Sequence, residues 1–374
     1  MYILGIDTSC DDTSIAILEI KKEGARRRRD ATLPNFRFGP SGGGSGIVKL
    51  EILSNVVSSQ VKLHAKYGGV YPFLAKREHQ RNLPLVLKKA LTKAKNPKID
   101  LIGVTIGPGL EPCLWQGVNF AIELAKKLKK PVIPVNHIEA HILANFLLSS
   151  NFHDREFLKN FVRAFPAICL VVSGGHTQLI LMKEIGKYKL IGETRDDAAG
   201  ECFDKVAKIL GLVYPGGPAI DKQARQFKIQ KFQIKLPRPM IYQKNYDFSF
   251  SGLKTAVLYD FRGRASKIKK SKIYIQEMAK EVQQAIIDVL ISKTIGVAKK
   301  FKAKTIILGG GVAASQELRN QFEKICLTSS FKFLVPPRNL CTDNAAMVAV
   351  TAYFHQREAT KDWKKIKANA NLKI

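Results

Sequence analysis

Two pairs of short apolar runs flank turns built from small and polar residues. Residues 2–6 and 15–20 enclose DTSCDDTS, and the pattern returns in the second half, where residues 167–172 and 178–182 enclose SGGHT. Short apolar runs bounded by turn-forming residues predict β-hairpins. The chain therefore predicts two copies of one hairpin, and this repeat limits the folds that it can adopt.

Strands and helices alternate between and after these hairpins. Residues 99–106 predict a strand that ends at Gly-Pro-Gly, and residues 304–308 predict one that runs into GGG. Helices are expected over residues 116–129 and 137–148 and from about residue 315. Helical spacing is also expected from residue 56 towards residue 64 and in the basic tail from residue 356. This alternation indicates α/β architecture.

Composition narrows the class of protein. The chain has 374 residues, enough for two domains with their own cores. No apolar run approaches the roughly 20 residues that span a bilayer, and the first residues carry acids in place of the basic region of a secretory signal. The six cysteines are scattered without a CxxC pair, which argues against a disulfide scaffold. We therefore expect a cytoplasmic protein that does not bind a membrane.

The formal net charge is +30, with 61 basic and 31 acidic residues. Such an excess favours a polyanionic partner, most simply nucleic acid, although a generally lysine-rich composition would look the same. Residues 21–46 combine four consecutive arginines with a Gly/Ser tract and lack apolar periodicity, which predicts a flexible basic insertion. An RNA-contacting arm and an insertion without a role are equally open interpretations of it.

The stretch NHIEAH places two histidines four residues apart. Residues four apart share one face of a helix, so His137 and His141 can bind one metal ion. The candidate third ligand is Asp343 in CTDNAAMVA, just before an apolar helical run. Spacing alone leaves two alternatives open: the histidines lie on a solvated or internally satisfied helix face, and Asp343 or Thr342 merely caps the next helix.

A zinc-protease interpretation of this stretch is weaker. The HExxH motif puts its glutamate directly after the first histidine, where the carboxylate acts as general base beside the metal. Here Glu139 follows His137 by two residues and points roughly 200° away from it around a helix. Glu139 is expected to be an exposed or helix-bracing acid.

The order of hairpin turns, helices and the glycine-rich strand–helix turn resembles the actin-like (ASKHA) fold of sugar kinases and heat-shock 70 ATPases. The resemblance implies an α/β fold of two related halves, residues 1–150 and 151–374, with a nucleotide and metal cleft between them. The last helices would pack back on the N-terminal half. Glycine turns let backbone amides approach phosphate oxygens, so an adenylate or ATP-like ligand is expected.

Longer motifs run in one order from about residue 2 to residue 350, and they include GIDTSCDDTSIAI, SSQVKLHAKYGGVYPFLAKREH, IGPGL, NHIEAH, VVSGGHTQL, DDAAGECFDKVAKILGLVYPGGPAID, FSFSGLKTAV, LGGGVAAS and CTDNAAMVA. Together they resemble the bacterial form of the tRNA N6-adenosine threonylcarbamoyltransferase family, formerly called O-sialoglycoprotein endopeptidase. The resemblance covers nearly the whole chain.

This resemblance implies transfer of a threonylcarbamoyl group from threonylcarbamoyl-adenylate to N6 of adenosine 37 in tRNAs that read codons beginning with A. It implies one divalent metal ion, with iron(II) favoured and zinc(II) as the alternative. It also implies two protein partners, an actin-like paralogue and a small P-loop ATPase. By position, the metal ligands would be His137, His141 and Asp343.

The substrate contacts implied by position come from the second hairpin turn and from the motifs after it: Val171, Val172, Ser173, Gly174, Gly175, Asp204, Gly217 and Asp221. The two aspartates are suited to accept hydrogen bonds from ribose hydroxyls. His176 follows the same turn towards the donor. Asp11 in the first turn is the candidate general base, with a turn-capping aspartate as an equal alternative.

The chain departs from the family pattern at several positions. Ala140 replaces the usual glycine of the histidine motif, a change that a helix tolerates. Ser315 replaces a substrate-contacting asparagine, so that contact is expected to be lost or bridged by water. Trp115 makes the stretch after IGPGL bulkier than usual, and residues 21–46 are not part of the pattern.

Three other functions are alternatives to the transferase. A metallopeptidase is opposed by the position of Glu139. A non-catalytic actin-like nucleotide-binding module would need no metal. A sugar kinase would leave His137, His141 and Asp343 unexplained together.

Overall fold

The computed structural model describes residues 1–23, 47–148, 164–228 and 234–374. Its strands are β1 (Tyr2–Asp7), β2 (Asp12–Glu23), β3 (Ile47–Ser59), β4 (Leu101–Gly107), β5 (Val132–Asn136), β6 (Ala167–Val172), β7 (Thr177–Glu184), β8 (Lys187–Glu193), β9 (Thr305–Gly309) and β10 (Lys332–Leu334). Its α-helices are α1 (Val61–His64), α2 (Pro72–Lys93), α3 (Glu111–Leu128), α4 (His137–Leu143), α5 (Ala199–Ile209), α6 (Gly216–Gln226), α7 (Ser251–Gly263), α8 (Ser266–Lys269), α9 (Lys272–Lys300), α10 (Gln316–Thr328) and α11 (Ala345–Phe354).

The chain forms two compact units. The first comprises Met1–Gln60, Tyr71–Arg163 and Asp343–Ile374, and the second comprises Val61–Val70 and Ala164–Thr342. The division into domains at residue 150 stays a prediction, because a compact unit defined by its contacts is not thereby shown to fold independently.

The first unit contains a five-stranded sheet in the order β3-β2-β1-β4-β5. Strands β1, β2 and β3 pair antiparallel, whereas β1, β4 and β5 run parallel. The β2–β3 pairing extends to Glu23 and Ile47, where the two strands flank residues 24–46. Nearly all of the predicted insertion therefore lies outside the described residues, and its first three residues belong to β2.

Alternation along β1 explains how helices cover both faces of this sheet. Leu4 and Ile6 belong to an apolar core shared with α2 and α3. Successive residues of a strand face opposite sides of the sheet, so Gly5 faces the other side. There its backbone lies against Ala345 and Ala349 of α11. Helix α11 is almost completely buried, so it is a central element of the first unit.

The second unit repeats this topology. Its five-stranded sheet has the order β10-β9-β6-β7-β8, with β6, β7 and β8 antiparallel and β6, β9 and β10 parallel. Buried apolar residues of α5, α7 and α9 pack with this sheet in one core. The two predicted hairpins, residues 2–20 and 167–182, are thus the equivalent first two strands of two like sheets.

Two predicted helices differ from the structure, the first in its start and the second throughout. Residues 56–59 belong to β3, whose register is set by pairing with β2, and helix begins only at Val61. The tail from residue 356 contains only single turns of 3-10 helix at Gln356–Glu358 and Trp363–Lys365. In the part of the chain that the structure describes, no helix combines the length and apolar character that a membrane crossing needs.

Candidate metal centre and glycine turns

The histidine motif begins a helix directly at the end of a parallel strand. Asn136 ends β5, and its Oδ1 accepts hydrogen bonds from the backbone N–H groups of Ile138 at 2.9 Å and Glu139 at 3.2 Å. This N-cap starts α4 at His137, so His141 follows one turn later on the same face. Both imidazoles are buried, with exposed fractions of 4% and 1%.

The candidate third ligand reaches the histidines from the start of α11. Asn344 provides the N-cap, since its Oδ1 accepts from the N–H of Met347 at 3.2 Å. The N–H of Ala345 donates to Ser14 Oγ at 2.7 Å, which ties the helix start to β2. The capping role that the sequence left open for Asp343 or Thr342 therefore belongs to Asn344.

The three side chains converge within the first unit. Asp343 Oδ1 lies 3.2 Å from His141 Nε2 and 3.5 Å from His137 Nε2, and one ligand atom from each residue fits within 4.8 Å of the others. Ligand atoms bound at about 2.0–2.1 Å to one tetrahedral ion lie about 3.4 Å apart. These separations thus suit a single ion.

The polar atoms of His141 give an independent test of this fit. Both of its ring nitrogens are buried, and neither makes a hydrogen bond to any described residue. A buried imidazole in that state is unfavourable, because its nitrogens have lost water without gaining a hydrogen bond, and Nε2 merely faces the Asp343 carboxylate at 3.2 Å. Two imidazoles and a carboxylate form a donor set that iron(II) and zinc(II) both accept. The residues therefore fit a bound divalent ion.

Two residues at the end of β1 complete the surroundings of the ligands. Asp7 is fully buried, and its Oδ1 lies 3.8 Å from His137 Nδ1. The hydroxyl of Ser9 lies between two carboxylates, 3.3 Å from Asp7 Oδ2 and 3.4 Å from Asp343 Oδ2. Burial and the charge of Asp343 raise the pKa of Asp7 to about 8. A cation among these groups would offset that effect.

Glu139 points away from the ligands, as its position in the helix predicts. Its Oε1 lies 2.8 Å from His355 Nε2, just past the end of α11. Only 7% of the residue is exposed, so the predicted helix-bracing role fits and the exposed alternative does not. A carboxylate held by His355 is not placed to act as a base beside the candidate ion, which argues against the metallopeptidase.

The first hairpin turn carries Asp11, whose backbone oxygen accepts a hydrogen bond from the N–H of Gln60 at 3.2 Å. The turn is also held by His79 of α2, which sequence reasoning missed. The His79 ring lies 2.8 Å from Thr13 Oγ1 and 2.9 Å from the carbonyl oxygen of Cys10. Both ring nitrogens of this fully buried side chain therefore fix the turn.

The second hairpin turn follows Val171 and Val172, the last residues of β6, and it closes on itself. Ser173 donates its N–H to the carbonyl of His176 at 2.8 Å, and its hydroxyl accepts the His176 N–H at 3.1 Å. At Gly174 and Gly175, a Cβ would meet no atom within 4 Å. The two glycines thus leave the backbone of the turn open to a close approach by a ligand.

Two further glycines bring the backbones of the second unit together around this turn. Gly310 has φ of 88°, and a Cβ there would lie 2.3 Å from the carbonyl oxygen of Val172. A Cβ on Gly200 would lie 2.5 Å from the carbonyl oxygen of Ser173. The two glycines therefore let three backbone segments approach each other with no side chain between them, namely the ends of β6 and β9 and the start of α5. The sequence signalled Gly310 through GGG, but it gave no signal for Gly200.

The remaining predicted substrate contacts lie within or next to helices of the second unit, with Asp204 in the middle of α5 and Asp221 in the middle of α6. Asp204 Oδ1 accepts the backbone N–H of Gly216 at 2.6 Å, which joins α5 to the start of α6, where Gly217 is open. Asp221 accepts from Gln283 Nε2 at 3.0 Å and pairs with Arg225 at 2.6 Å. Ser315 directly precedes α10, and its side chain makes no capping hydrogen bond.

The fold matches solved structures of low sequence identity. A full-length HypF in the phosphate- and nucleotide-bound form superposes with a TM-score of 0.54 at 12% identity over 95% of this chain. The HypF of T. kodakarensis gives a TM-score of 0.52 at 12% identity over 97%. This chain spans about half of each, 55% and 48%. The likeness concerns the fold alone, and the actin-like fold class is confirmed.

Sequence comparison identifies the family. The family model described as tRNA N6-adenosine threonylcarbamoyltransferase matches residues 51–350. Proteins of that name are 43% identical in Thermosipho africanus, over all of both chains, and 44% identical in Syntrophomonas wolfei, over 94% of this chain and 92% of that one. The relative in Geobacillus kaustophilus is 40% identical over all of this chain and 97% of its own. The chain therefore belongs to the tRNA N6-adenosine threonylcarbamoyltransferase family.

Proposed function

We propose that this protein transfers a threonylcarbamoyl group to N6 of adenosine 37 in tRNAs that read codons beginning with A. Two observations support the assignment: family membership along most of the chain, and the convergence of His137, His141 and Asp343 in the first unit. That convergence carries the proposal, because a nucleotide-binding module without catalysis has no use for it.

The donor that this proposal requires is threonylcarbamoyl-adenylate, a mixed carbamic–phosphoric anhydride. The N6 amine of adenosine attacks the carbamoyl carbon, and a new N–C bond forms while the bond from that carbon to the phosphate oxygen breaks. AMP leaves with the electron pair, and the amine loses a proton. The carbonyl is already activated, so the protein has to position a weak nucleophile and stabilise an oxyanion.

The residues of the first unit would hold one divalent ion through His137, His141 and Asp343, with iron(II) favoured and zinc(II) as the alternative. When bound, such an ion supplies Lewis acidity towards the carbamoyl carbonyl or holds the threonyl hydroxyl and carboxylate. Asp7 Oδ1 lies 3.8 Å from Nδ1 of His137, and Nε2 faces Asp343, so Nδ1 would carry the proton and Nε2 would present its lone pair to the ion. Asp11 in the neighbouring turn is the proposed general base.

The glycine turns of the second unit would hold the adenylate part of the donor. Open backbone at Gly174, Gly175 and Gly217 lets amide groups approach phosphate oxygens. Asp204 and Asp221 would accept hydrogen bonds from ribose hydroxyls, with Asp221 oriented by Gln283. The backbone of Val171 to Ser173 would also contact the adenylate, and Ser315 would contribute through water where the family pattern has a longer asparagine side chain.

The partners follow from the same assignment. The net charge of +30 would help to bind the phosphate backbone of tRNA. Because tRNA is found in the cytoplasm, the protein would act there. An actin-like paralogue and a small P-loop ATPase are proposed as protein partners. The paralogue would form a dimer with this chain, and the ATPase would act with that dimer during tRNA modification.

The test is nucleoside analysis by mass spectrometry. Cells that lack their own transferase receive this chain or its His141→Ala variant, and the native partner proteins are co-expressed. Return of threonylcarbamoyladenosine with the unchanged chain only supports both the transferase and the metal centre. Return with both chains leaves the transfer in place and removes the metal assignment. Absence with both would overturn the transferase in favour of the non-catalytic module.

A further inference from the structure

All three candidate ligands are placed by two short helices of the first unit. His137 and His141 lie on α4, which has 7 residues, and Asp343 directly precedes the cap of α11, which has 10. The two helices pack against each other, so the separation of the ligand atoms depends on that packing. Metal–ligand distances tolerate changes of only about 0.2 Å, and a small rotation of either helix would exceed that tolerance.

An ion pair joins these helices at the end of α11 that lies away from Asp343. Glu139 stands on α4 between the two histidines in sequence but on another face, and its Oε1 lies 2.8 Å from His355 Nε2. His355 is the C-cap residue of α11. The two side chains are only 9% and 18% exposed, so water screens the contact poorly.

The second ring nitrogen of His355 fixes the orientation of the pair. His355 Nδ1 lies 2.8 Å from Glu358 Oε1 in the turn that follows α11. A ring that faces a carboxylate at each nitrogen has to donate two N–H groups, and it is therefore an imidazolium. The hydrogen bond to Glu139 is the largest of the effects that raise the pKa of His355 to about 9, so the charged pair persists at neutral pH.

We infer that Glu139 and His355 are positioning residues of the metal centre. Their pairing holds α4 against α11 so that the imidazoles of His137 and His141 stay at binding distance from the carboxylate of Asp343. Neither residue is one of the three candidate ligands. The inference rests on the proposed metal centre, and it gives the glutamate of NHIEAH a role that the peptidase interpretation did not.

The experiment measures cobalt(II) binding to the full chain by competition with a chelator, together with the visible spectrum of the cobalt-substituted protein. The variants are Glu139→Gln, which keeps the size and an acceptor oxygen, His355→Ala, and the two combined. Changing the groups that orient metal ligands typically weakens metal affinity about 10–100-fold. We expect each single variant to lose cobalt affinity by a factor of that order and to show a changed cobalt spectrum. The double variant should bind cobalt no more weakly than the weaker of the two single variants, because both changes break the same ion pair.

A matched control separates positioning from general destabilisation. Glu281 forms a poorly exposed ion pair with Arg238 in the second unit, so Glu281→Gln should lower the unfolding midpoint and leave cobalt affinity unchanged. Unchanged affinity and spectrum in both Glu139→Gln and His355→Ala would overturn the inference, even if both variants unfold earlier. The His141→Ala variant reports on the metal centre itself, and wild-type cobalt affinity in this variant would refute the centre. Loss of affinity in His141→Ala, together with intact binding in both Glu139→Gln and His355→Ala, would refute only the positioning role.

Discussion

Gly5 of β1 and Ala345 of α11 meet backbone to backbone. A Cβ at position 5 would lie 2.2 Å from the carbonyl oxygen of Ala345 and 2.9 Å from the backbone nitrogen of Ala349. Ala345 is the second residue after Asp343. The contact with Gly5 therefore sets the position of the start of α11, and with it the position of the Asp343 side chain.

We predict that Gly5→Ala destabilises the protein by about 1–3 kcal/mol, because an added methyl group forces α11 away from the sheet. The same displacement should weaken cobalt(II) binding. Urea unfolding and chelator competition measure the two effects. Gly296 of α9, where a Cβ meets nothing within 4 Å, is the control, and its change to Ala should stabilise the protein by about 0.5–1 kcal/mol. Wild-type stability and cobalt affinity of Gly5→Ala would contradict this packing of α11 on the sheet.

Two adjacent glycines of the GGG turn should respond differently to the same change. Gly310→Ala forces a positive φ on alanine and a contact of 2.3 Å with the carbonyl of Val172, whereas a Cβ at Gly311 has its nearest neighbour at 3.9 Å. We expect Gly310→Ala to lose AMP binding and Gly311→Ala to lose stability by less than about 1 kcal/mol. Calorimetric titration with AMP, after a check of folding by circular dichroism, measures the difference. Equal binding by the two variants would argue against this turn as an adenylate site.

Affinity for tRNA should depend steeply on salt. A protein that neutralises about six phosphates loses roughly a thousandfold in affinity between about 50 and about 200 mM salt, and the charge of +30 supports contacts on this scale. Filter binding with an unmodified tRNA transcript gives the slope of log affinity against log salt, which we expect to be steeper than about −3. A neutral osmolyte at matched osmolality is the control. A flat dependence would show that the positive charge does not serve tRNA.

Residues 24–46 should be replaceable by a short turn. Glu23 and Ile47 are paired across β2 and β3, and a two-residue Asn-Gly loop joins such a pair with the twist that antiparallel strands favour. The shortened protein should unfold cooperatively at a midpoint close to that of the full chain. Insoluble or non-cooperative protein would contradict this. Its tRNA affinity then distinguishes an RNA-contacting arm, for which binding weakens, from an insertion without a role.

The stability of the metal-free protein should fall as the pH rises above neutrality. The pKa of His355 is raised from 6.5 to about 9 in the folded state, so its ion pair contributes fully below about pH 6.5. The contribution then declines and is lost as the pH passes through about 9. A pKa shift of this size corresponds to at most about 3 kcal/mol, and solvent screening of the partly exposed pair lowers that figure. Urea midpoints at several pH values should show this decline, and His355→Gln should flatten it. An equal slope in the variant would assign the decline to other groups.

Local patterns predicted the parts of the fold that neighbours in sequence determine. The β1–β2 hairpin, the turn after Val172 and the GGG turn are marked by apolar runs that end in turn residues. Strand β3 was missed because its C-terminal residues also suit a helix, and only pairing with β2 across residues 24–46 selects the strand. Tertiary pairing of this kind has no local signal.

The residues of the candidate site also fall into two groups, those that local sequence patterns predict and those that only the tertiary structure brings together. His137 and His141 follow from helical spacing, whereas the sequence pattern made Asp343 only a candidate, and the family resemblance was needed to prefer a ligand over a helix cap. Asp7 and Ser9 reach the site because β1 and β5 flank β4 in one parallel arrangement, with their carboxyl ends at one edge of the sheet. Gly200 is required by an approach between two backbones, and such approaches leave no trace in residue spacing.

The first unit is discontinuous in sequence, and this has a consequence for synthesis. Strands β1, β2, β4 and β5 and both histidines emerge from the ribosome early, whereas Asp343 and α11 emerge only after the whole second unit. Until then the sheet face at Gly5 and Gly103 lacks the helix that covers it. A nascent chain thus carries an uncovered apolar surface through much of its translation, and the three candidate metal ligands come together only after Asp343 has been synthesised.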